Sequence, residues 1–278
     1  MTTTSLATPL LTVDLVEQRI PVPESLRQWF TEAGQIPIAR DRSVPLAHIP
    51  QAATTIALRT EYGRPRAALV IGPQTRATYP AADKPVGALR LRVAPGAVRS
   101  LLGISALALT DRAIRLADLP GPLGRAAPEL LTLPTDKALD YLADQLPRLI
   151  REQPTQRTHR ELLTTAVAAL TGTPLGKSVH ELAVELAVSE RQLRNLFSTG
   201  IGVSPKHFAR IDRIRRVVTG VGTTPWAQLA TATGYFDQSH MTSDFRTLMG
   251  VAPTSYLRGA VPPPNPCMPL SRPIRLVE

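Results

Sequence analysis

Apolar positions along the chain follow two periods, and the change from one to the other divides it. From residue 10 to about 93 they come in short runs broken by proline and glycine, such as Thr54 to Leu58, Ala67 to Ile71 and Val86 to Val93. These predict the strands of a small β-rich unit. From Pro95 the spacing turns helical, with Pro95 where an N1 proline opens a helix through Leu102. Pro120, Gly121, Pro122 and Gly124 predict a loop. Beyond it Leu139, Leu142, Leu146 and Leu149 form one helical stripe, interrupted by Pro147, that suits an intrachain packing face or a dimer seam. Arg151 to Arg160 reads as an interdomain linker, and Glu161 to Leu170 as a short apolar helix leading onward.

From Ser178 to Arg258 one pattern occurs twice. Leu182-Ala183 returns as Leu229-Ala230 and Ala187 as Gly234, each 47 positions on. After the turn the offset is 48, carrying Leu193 to Met241, Phe197 to Phe245, Gly202 to Gly250, Pro205 to Pro253 and Phe208 to Tyr256. One residue has therefore entered the second turn. Self-similarity at a fixed period means one supersecondary unit built twice.

Each unit reads as helix, tight turn, helix. Ser178 with Glu181 is a capping box, and Val179, Leu182, Ala183 and Leu186 share an inward face. Ser189 with Gln192 repeats the capping pattern three residues after Leu186, the spacing of a helix-turn-helix. In the helix that follows, Leu193, Leu196 and Phe197 take the core side and Glu190, Arg191, Arg194, Asn195 and Ser198 point outward. Arg grips guanine and Asn grips adenine in two-pronged fashion across the major groove. Ser204-Pro205 opens a longer helix with Phe208, Ile211, Ile214 and Val218 on one side and Lys206, Arg210, Arg213 and Arg216 on the other, a stripe suited to phosphates. Thr224-Pro225 caps the next helix, whose Trp226, Leu229 and Ala230 face inward. Asp237 caps the last, with Met241, Phe245 and Leu248 inward and Gln238, Ser239, Thr242, Ser243 and Arg246 outward.

Charge sharpens this picture. The 278 residues carry 32 basic and 22 acidic side chains, a formal charge of +10, which favours a polyanionic partner. Residues 177–216 hold eight basic and four acidic side chains, whereas 217–258 hold two of each. The single cysteine, Cys267, lies in the Pro-rich segment Pro262 to Pro269, so no internal disulfide is possible and a reducing cytoplasm fits. No apolar run approaches a membrane span, and Met1 to Pro9 lacks the form of a secretory signal.

The doubled motif resembles the AraC/XylS family of bacterial transcription regulators, whose second unit runs Gly-aromatic-x-Asp-Gln-Ser-His and closes with Gly-x-x-Pro-x-x-Tyr-x-Arg. Here those residues are Gly234 to His240, then Gly250, Pro253, Tyr256 and Arg258, and the first unit adds Ser189, Leu193, Leu196-Phe197 and Gly202 to Pro205. The resemblance implies an α+β chain: a small β-rich, barrel-like domain with following helices, then an all-α DNA-binding domain of two helix-turn-helix units joined by a linker helix. The expected divisions are 1–150 for sensing or dimerisation, 151–159 for the linker, 160–259 for DNA binding and 260–278 for a Pro-rich tail. The two recognition helices would enter successive major grooves about 34 Å apart. By position in the family, Arg191, Asn195, Gln238, Ser239 and Ser243 would contact bases, with Arg194, Lys206 and Arg246 near the backbone. Met241 replaces the family's usual aromatic residue, and Ser243 stands where a basic residue often sits.

The front section is similar to the small β-rich sensor domains of some such regulators, through Val70 to Arg76, Arg92 to Ala97 and Leu101 to Gly103. A cytoplasmic activator follows, with double-stranded promoter DNA, RNA polymerase, an unnamed small-molecule effector and a second copy of itself as partners. Three rivals fit less well. A cupin-type enzyme fused to a DNA-binding module needs clustered metal ligands, but of His48, His159, His180, His207 and His240 only His48 lies in the β section. A DNA-repair alkyl acceptor needs a reactive thiolate in a structured, electropositive setting, unlike Cys267. A packaging protein needs only phosphate contacts, not recognition helices. No catalytic residue, cofactor or metal is expected.

Overall fold

The short apolar runs of the front section become strands in the computed structural model. It describes residues 11–12, 17–37, 46–61, 64–79, 87–171 and 177–263. In chain order the strands are β1 (Leu11–Thr12), β2 (Gln18–Ile20), β3 (Phe30–Ile36), β4 (Leu46–Ala47), β5 (Thr55–Glu61), β6 (Arg64–Ile71), β7 (Gly87–Val93) and β8 (Ala113–Arg115). Six of them form one antiparallel sheet in the order β2-β3-β7-β5-β6-β8, while β1 and β4 pair in parallel. The ladder ends at β2 and β8, so the sheet is open among the described residues.

Register explains which face is apolar. Ile56 lies opposite Val70 and Leu91, and Leu58 opposite Ala68 and Leu89, so all six side chains share one surface. The helices α1 (Val98–Leu102), α2 (Pro122–Leu130) and α3 (Ala138–Leu149) complete the core over that surface through Leu101, Leu102, Leu123, Leu130, Leu142 and Leu146. Elsewhere on β7, Arg90 and Arg92 are held by carboxylates: Arg90 Nη1 donates to Glu17 Oε2 at 2.8 Å, and Arg92 reaches both Glu17 and Glu32.

Several local expectations need correction. Pro95 does not open a helix; Gly96 takes a left-handed φ of 79° and α1 begins at Val98. Pro122 and Gly124 belong to a helix rather than a loop, since Gly121 is the N-cap and Pro122 occupies N1. Gly124 is needed there because a Cβ would lie 1.9 Å from the Leu119 carbonyl oxygen. Pro147 does not interrupt α3, which runs on to Leu149 because the proline falls in its last turn. The same helix spends Leu142 and Leu146 on the core, at 1% and 0% exposure, so they supply no dimer seam. Helix α4 spans Pro154–Leu170, with the Gln156 side chain accepting from the Gln153 N–H at 3.2 Å. Residues 154–159, expected as linker, are thus its first turns. Cys267 and most of the Pro-rich tail lie outside the described residues.

The doubled pattern folds as six helices: α5 (Val179–Glu185), α6 (Glu190–Gly200), α7 (Pro205–Gly220), α8 (Trp226–Ala232), α9 (Gln238–Met249) and α10 (Pro253–Leu257). The repetition extends to detail. Ala187 and Gly234 both take left-handed backbone, at φ 50° and 82°. Phe197 meets Phe208 edge-to-face at 6.0 Å, and their repeat partners Phe245 and Tyr256 do so at 5.7 Å. Two cores result, one around Leu182, Leu193 and Phe197 with Leu163 of α4, the other around Leu229, Met241 and Phe245. Val217 rather than Val218 is the fully buried residue of α7's last turns.

The unlike residues in the two turns give opposite expectations. A side chain with left-handed backbone costs about 1–2 kcal/mol, while glycine loses about 0.5–1 kcal/mol of extra chain entropy. Gly234→Ala should therefore lower stability by about 1 kcal/mol, and Ala187→Gly should leave it unchanged or raise it by up to about 1 kcal/mol. Denaturant unfolding of both variants checks the sign; a loss in both would refute the account.

Candidate nucleic-acid interface

Capping fixes where each recognition helix begins. Ser178 Oγ accepts from the Glu181 N–H at 3.1 Å while the Glu181 carboxylate accepts from the Ser178 N–H at 2.8 Å. Hydrogen bonds from the Ser178 backbone N–H and the Ser178 side chain hold the Glu181 carboxyl below its usual pKa. Ser189 Oγ accepts from the Gln192 N–H (3.1 Å), Ser204 Oγ from His207 N–H (3.2 Å) and Asp237 Oδ1 from His240 N–H (2.7 Å). Each satisfies an orphan donor of the first turn. The expected Thr224 cap is absent: Pro225 takes the cap position without a side-chain bond, and α8 starts at Trp226.

With the ends fixed, the outward faces follow. Arg191, Arg194 and Asn195 are exposed on α6, Gln238, Ser239, Ser243 and Arg246 are exposed on α9, and Lys206 is exposed in the first turn of α7. Leu193, Leu196 and Phe197 on α6, and Met241, Phe245 and Leu248 on α9, are at most 5% exposed. Met241, the replacement for an aromatic residue, is fully buried. Arg194 is not idle in the free protein, because its guanidinium pairs with Glu190, which also meets His180 Nδ1 at 3.2 Å.

The basic stripe of α7 has another use than the one expected. Arg210 donates from Nε and Nη2 to Asp244 Oδ1 of α9, at 3.1 and 2.7 Å. Arg213 lies 4.7 Å from the centre of the Tyr235 ring and donates to the Gly234 carbonyl at 3.3 Å. Arg216 pairs with Asp212 at 3.1 Å. Arg210 and Arg213 thus join the linker helix to the second unit and Arg216 pairs within α7 itself, so Lys206 is the member of the stripe left facing outward. Burial and the nearby Asp244 push the Tyr235 hydroxyl above its usual pKa, and burial pushes Tyr256 up to about 12.

The opposite ends of both recognition helices are tied to the front section. At α6, Gly96 N–H donates to the Gly200 carbonyl at 3.2 Å and Thr110 Oγ1 to the Gly202 carbonyl at 2.8 Å. At α9, Ala77 N–H donates to the Leu248 carbonyl at 2.8 Å and Tyr79 Oη to the Met249 carbonyl at 2.6 Å. Arg215 of α7 donates to the Pro50 carbonyl at 3.1 Å. Ala47, Ile49 and Tyr79 complete the core of the second unit. No periodicity marks them in the sequence, since they lie in a two-residue strand and in irregular segments, and no local signal could have found them. Beside this seam lies a cavity of about 300 Å³ lined by Arg19, Glu32, Arg92, Thr54, Phe208 and Arg215, among others.

Among the described residues no three or more His, Cys, Asp or Glu stand together as a metal site, and no helix is long and apolar enough to cross a membrane. His48 pairs its backbone with Thr78.

A family model described as a helix-turn-helix domain matches residues 182–259. No curated protein matches the chain. Among solved structures, an AraC-type transcriptional regulator from Chromobacterium violaceum is 22% identical over 39% of this chain and 96% of its own, with a TM-score of 0.33. The DNA-binding domain of AdpA, solved with a target DNA, is 21% identical over 37% of this chain and 91% of its own, with a TM-score of 0.32. ToxT from Vibrio cholerae O395 is 12% identical over 78% of this chain and 94% of its own, with a TM-score of 0.38.

The Glu190 carboxylate opposes a polyanion twice, by its own charge and by occupying Arg194. Exposed pairs of this kind are worth at most about 1 kcal/mol, so the exchange is easy. Glu190→Gln should tighten binding to any duplex severalfold and steepen its salt dependence by about one unit, measured by fluorescence anisotropy across a salt series. Unchanged affinity would mean that α6 does not approach phosphate there.

Proposed function

We propose, on the premise that residues 182–259 form an AraC-type helix-turn-helix DNA-binding domain, that this chain is a sequence-specific regulator of transcription. It activates promoters from the cytoplasm, under control of residues 1–150. The observation that carries the reading is the pairing of two capped helices, each with polar residues, and on α6 also Arg191 and Arg194, exposed at its free end, and each with its carbonyl end held by the front section. Side chains at the amino-terminal part of a recognition helix read base edges, and one set of positions serves each groove. Double-stranded DNA is the partner.

Arg191, Asn195, Gln238, Ser239 and Ser243 are the proposed base readers, and Arg194, Lys206 and Arg246 the backbone anchors. The proposed division is 1–150, 151–159, 160–259 and 260–278, with the 151–159 segment running into α4. A small-molecule effector would act in the cavity beside the seam, because matter placed there touches β3, β7 and α7 together. Such a ligand shifts the regulator only by its preference for one arrangement of the seam over another. RNA polymerase is the proposed protein partner. A second copy would have to pair elsewhere than through Leu142 and Leu146, and gel filtration of the full chain reads that state. The chain works by binding, not by turnover.

Mapping of bound sites across a genome tests the whole reading; no enriched sequence would end it. For single residues, Arg191→Ala should weaken the enriched site by about 1–3 kcal/mol and relax preference at one base pair. Equal loss on random duplex would refute its reading role. Charge is concentrated in the first unit, so Asn195→Ala should cost more than Gln238→Ala. Neutralising Lys206 or Arg246 should instead lower affinity on all sequences and reduce the salt slope by about one. A slope unchanged in both would reassign them.

A further inference from the structure

The residue added to the second turn has a definite place. In the first unit Ala187 N–H donates to the Val184 carbonyl and Val188 N–H to the Ala183 carbonyl, at 3.1 and 3.0 Å, and Ser189 then caps α6. In the second, Gly234 N–H donates to the Thr231 carbonyl and Tyr235 N–H to the Ala230 carbonyl, at 3.1 and 2.9 Å. The two turns therefore match up to Val188 and Tyr235. The next residue in the first unit is the cap, whereas the second unit interposes Phe236 before Asp237 caps α9. Phe236 is the insertion.

An apolar residue just before the N-cap ordinarily packs on the fourth helical residue and fixes the chain's entry. In the first unit Val188 and Leu193 share a core in this way. In the second, Tyr235 takes that inward place at 4% exposure beside fully buried Met241, and Phe236 is turned out at 93% exposure. The other large apolar side chains exposed among the described residues, Val184, Leu107 and Leu149, reach 67%, 54% and 38%. Phe236 thus has no packing duty in the fold and stands one residue from the cap of the second recognition helix, next to Gln238 and Ser239.

We infer that Phe236 is a specificity residue that packs against the C5-methyl group of a thymine in the major groove, an inference that rests on the DNA-binding reading above. The neighbouring face favours such a contact. Arg246 is the one exposed cation among the outward residues of α9, so the second unit has little charge with which to hold DNA. The thymine methyl is the apolar group that the major groove offers, and phenylalanine is suited to it. A polar spacer would lengthen the turn equally well, so the added residue's apolar character supplies what the rest of that face lacks.

The test uses the purified full-length chain and a duplex that it has itself selected from random sequence. Each thymine of the second half-site is replaced in turn by deoxyuridine, which removes only the methyl group. One replacement should weaken the wild-type chain about fourfold, the equivalent of roughly 0.8 kcal/mol for one buried methyl. Phe236→Ala should lose at least as much on the unmodified duplex and nothing further on that deoxyuridine duplex, while Phe236→Leu should retain most of the methyl dependence. Losses that multiply, or Phe236→Ala binding as tightly as wild type, would overturn the inference. Normal binding with lost transcription in vitro would overturn it too, in favour of contact with a protein. Failure of the wild-type chain to select any sequence would instead defeat the DNA-binding reading itself. Circular dichroism serves as the folding control, and a side chain so exposed should leave the spectrum unchanged.

Discussion

Four hydrogen bonds from the front section to the carbonyl ends of α6 and α9 govern how this molecule can present itself to a duplex. Helix ends leave carbonyls unpaired, and a buried one without a donor is expensive. Here Gly96, Thr110, Ala77 and Tyr79 supply donors, two to each helix or the loop that follows it. Because both recognition helices are gripped from behind by one sheet-based unit, their spacing is set by that unit as well as by the linker helix between them. The free ends, where bases would be read, inherit this geometry. Any change in the front section that moves residues 73–79 relative to 106–110 alters the distance between two helices it never covers.

Within the DNA-binding part, cations that would suit phosphates are used for cohesion. Arg210 and Asp244 bridge α7 to α9, and Arg213 covers the Tyr235 ring. An ion pair buried to this degree gains little over an apolar contact but punishes the loss of one partner. Its value lies in geometry: the guanidinium fork fixes α9 against the linker helix. Strong charge on the sequence of α7 therefore overstated the surface available to DNA.

How much of this was legible beforehand depended on the range of the interactions involved. Five of the six helices of the doubled motif, α5 to α9, their caps at Ser178, Ser189, Ser204 and Asp237, and the inward faces of α6 and α9 follow from short-range periodicity and local hydrogen bonds, which the sequence displays directly, whereas the five-residue α10 is too short to show a period. The strands at 55–61 and 64–71 were legible for the same reason. Errors arose where tertiary contact overrode local preference. Pro122 and Gly124 looked like loop residues because glycine's role was to admit the Leu119 carbonyl, and Arg210 looked like a phosphate ligand because Asp244 lies 34 residues away. Ala47, Ile49 and Tyr79 were invisible as core residues, since the helices they pack on are more than 100 positions distant. Among the candidate site residues, the outward placement was readable from helical phase, and the pairing of Glu190 with Arg194 sits at the i,i+4 spacing that the same phase displays.

The contact at Gly96 and Gly200 has a further implication. A Cβ on Gly200 would lie 2.4 Å from a Leu163 methyl and 3.3 Å from the Gly96 Cα, and one on Gly202 would lie 2.8 Å from Pro73. Backbone meets backbone here through the Gly96 N–H and the Gly200 carbonyl, with the Leu163 methyl, the Pro73 ring and the Thr110 hydroxyl filling the space around the two glycines. Any side chain larger than hydrogen at Gly200 or Gly202 would have to displace these neighbours. The two glycines accordingly let the front section seat against the first helix-turn-helix unit at closer range than any other residue would allow.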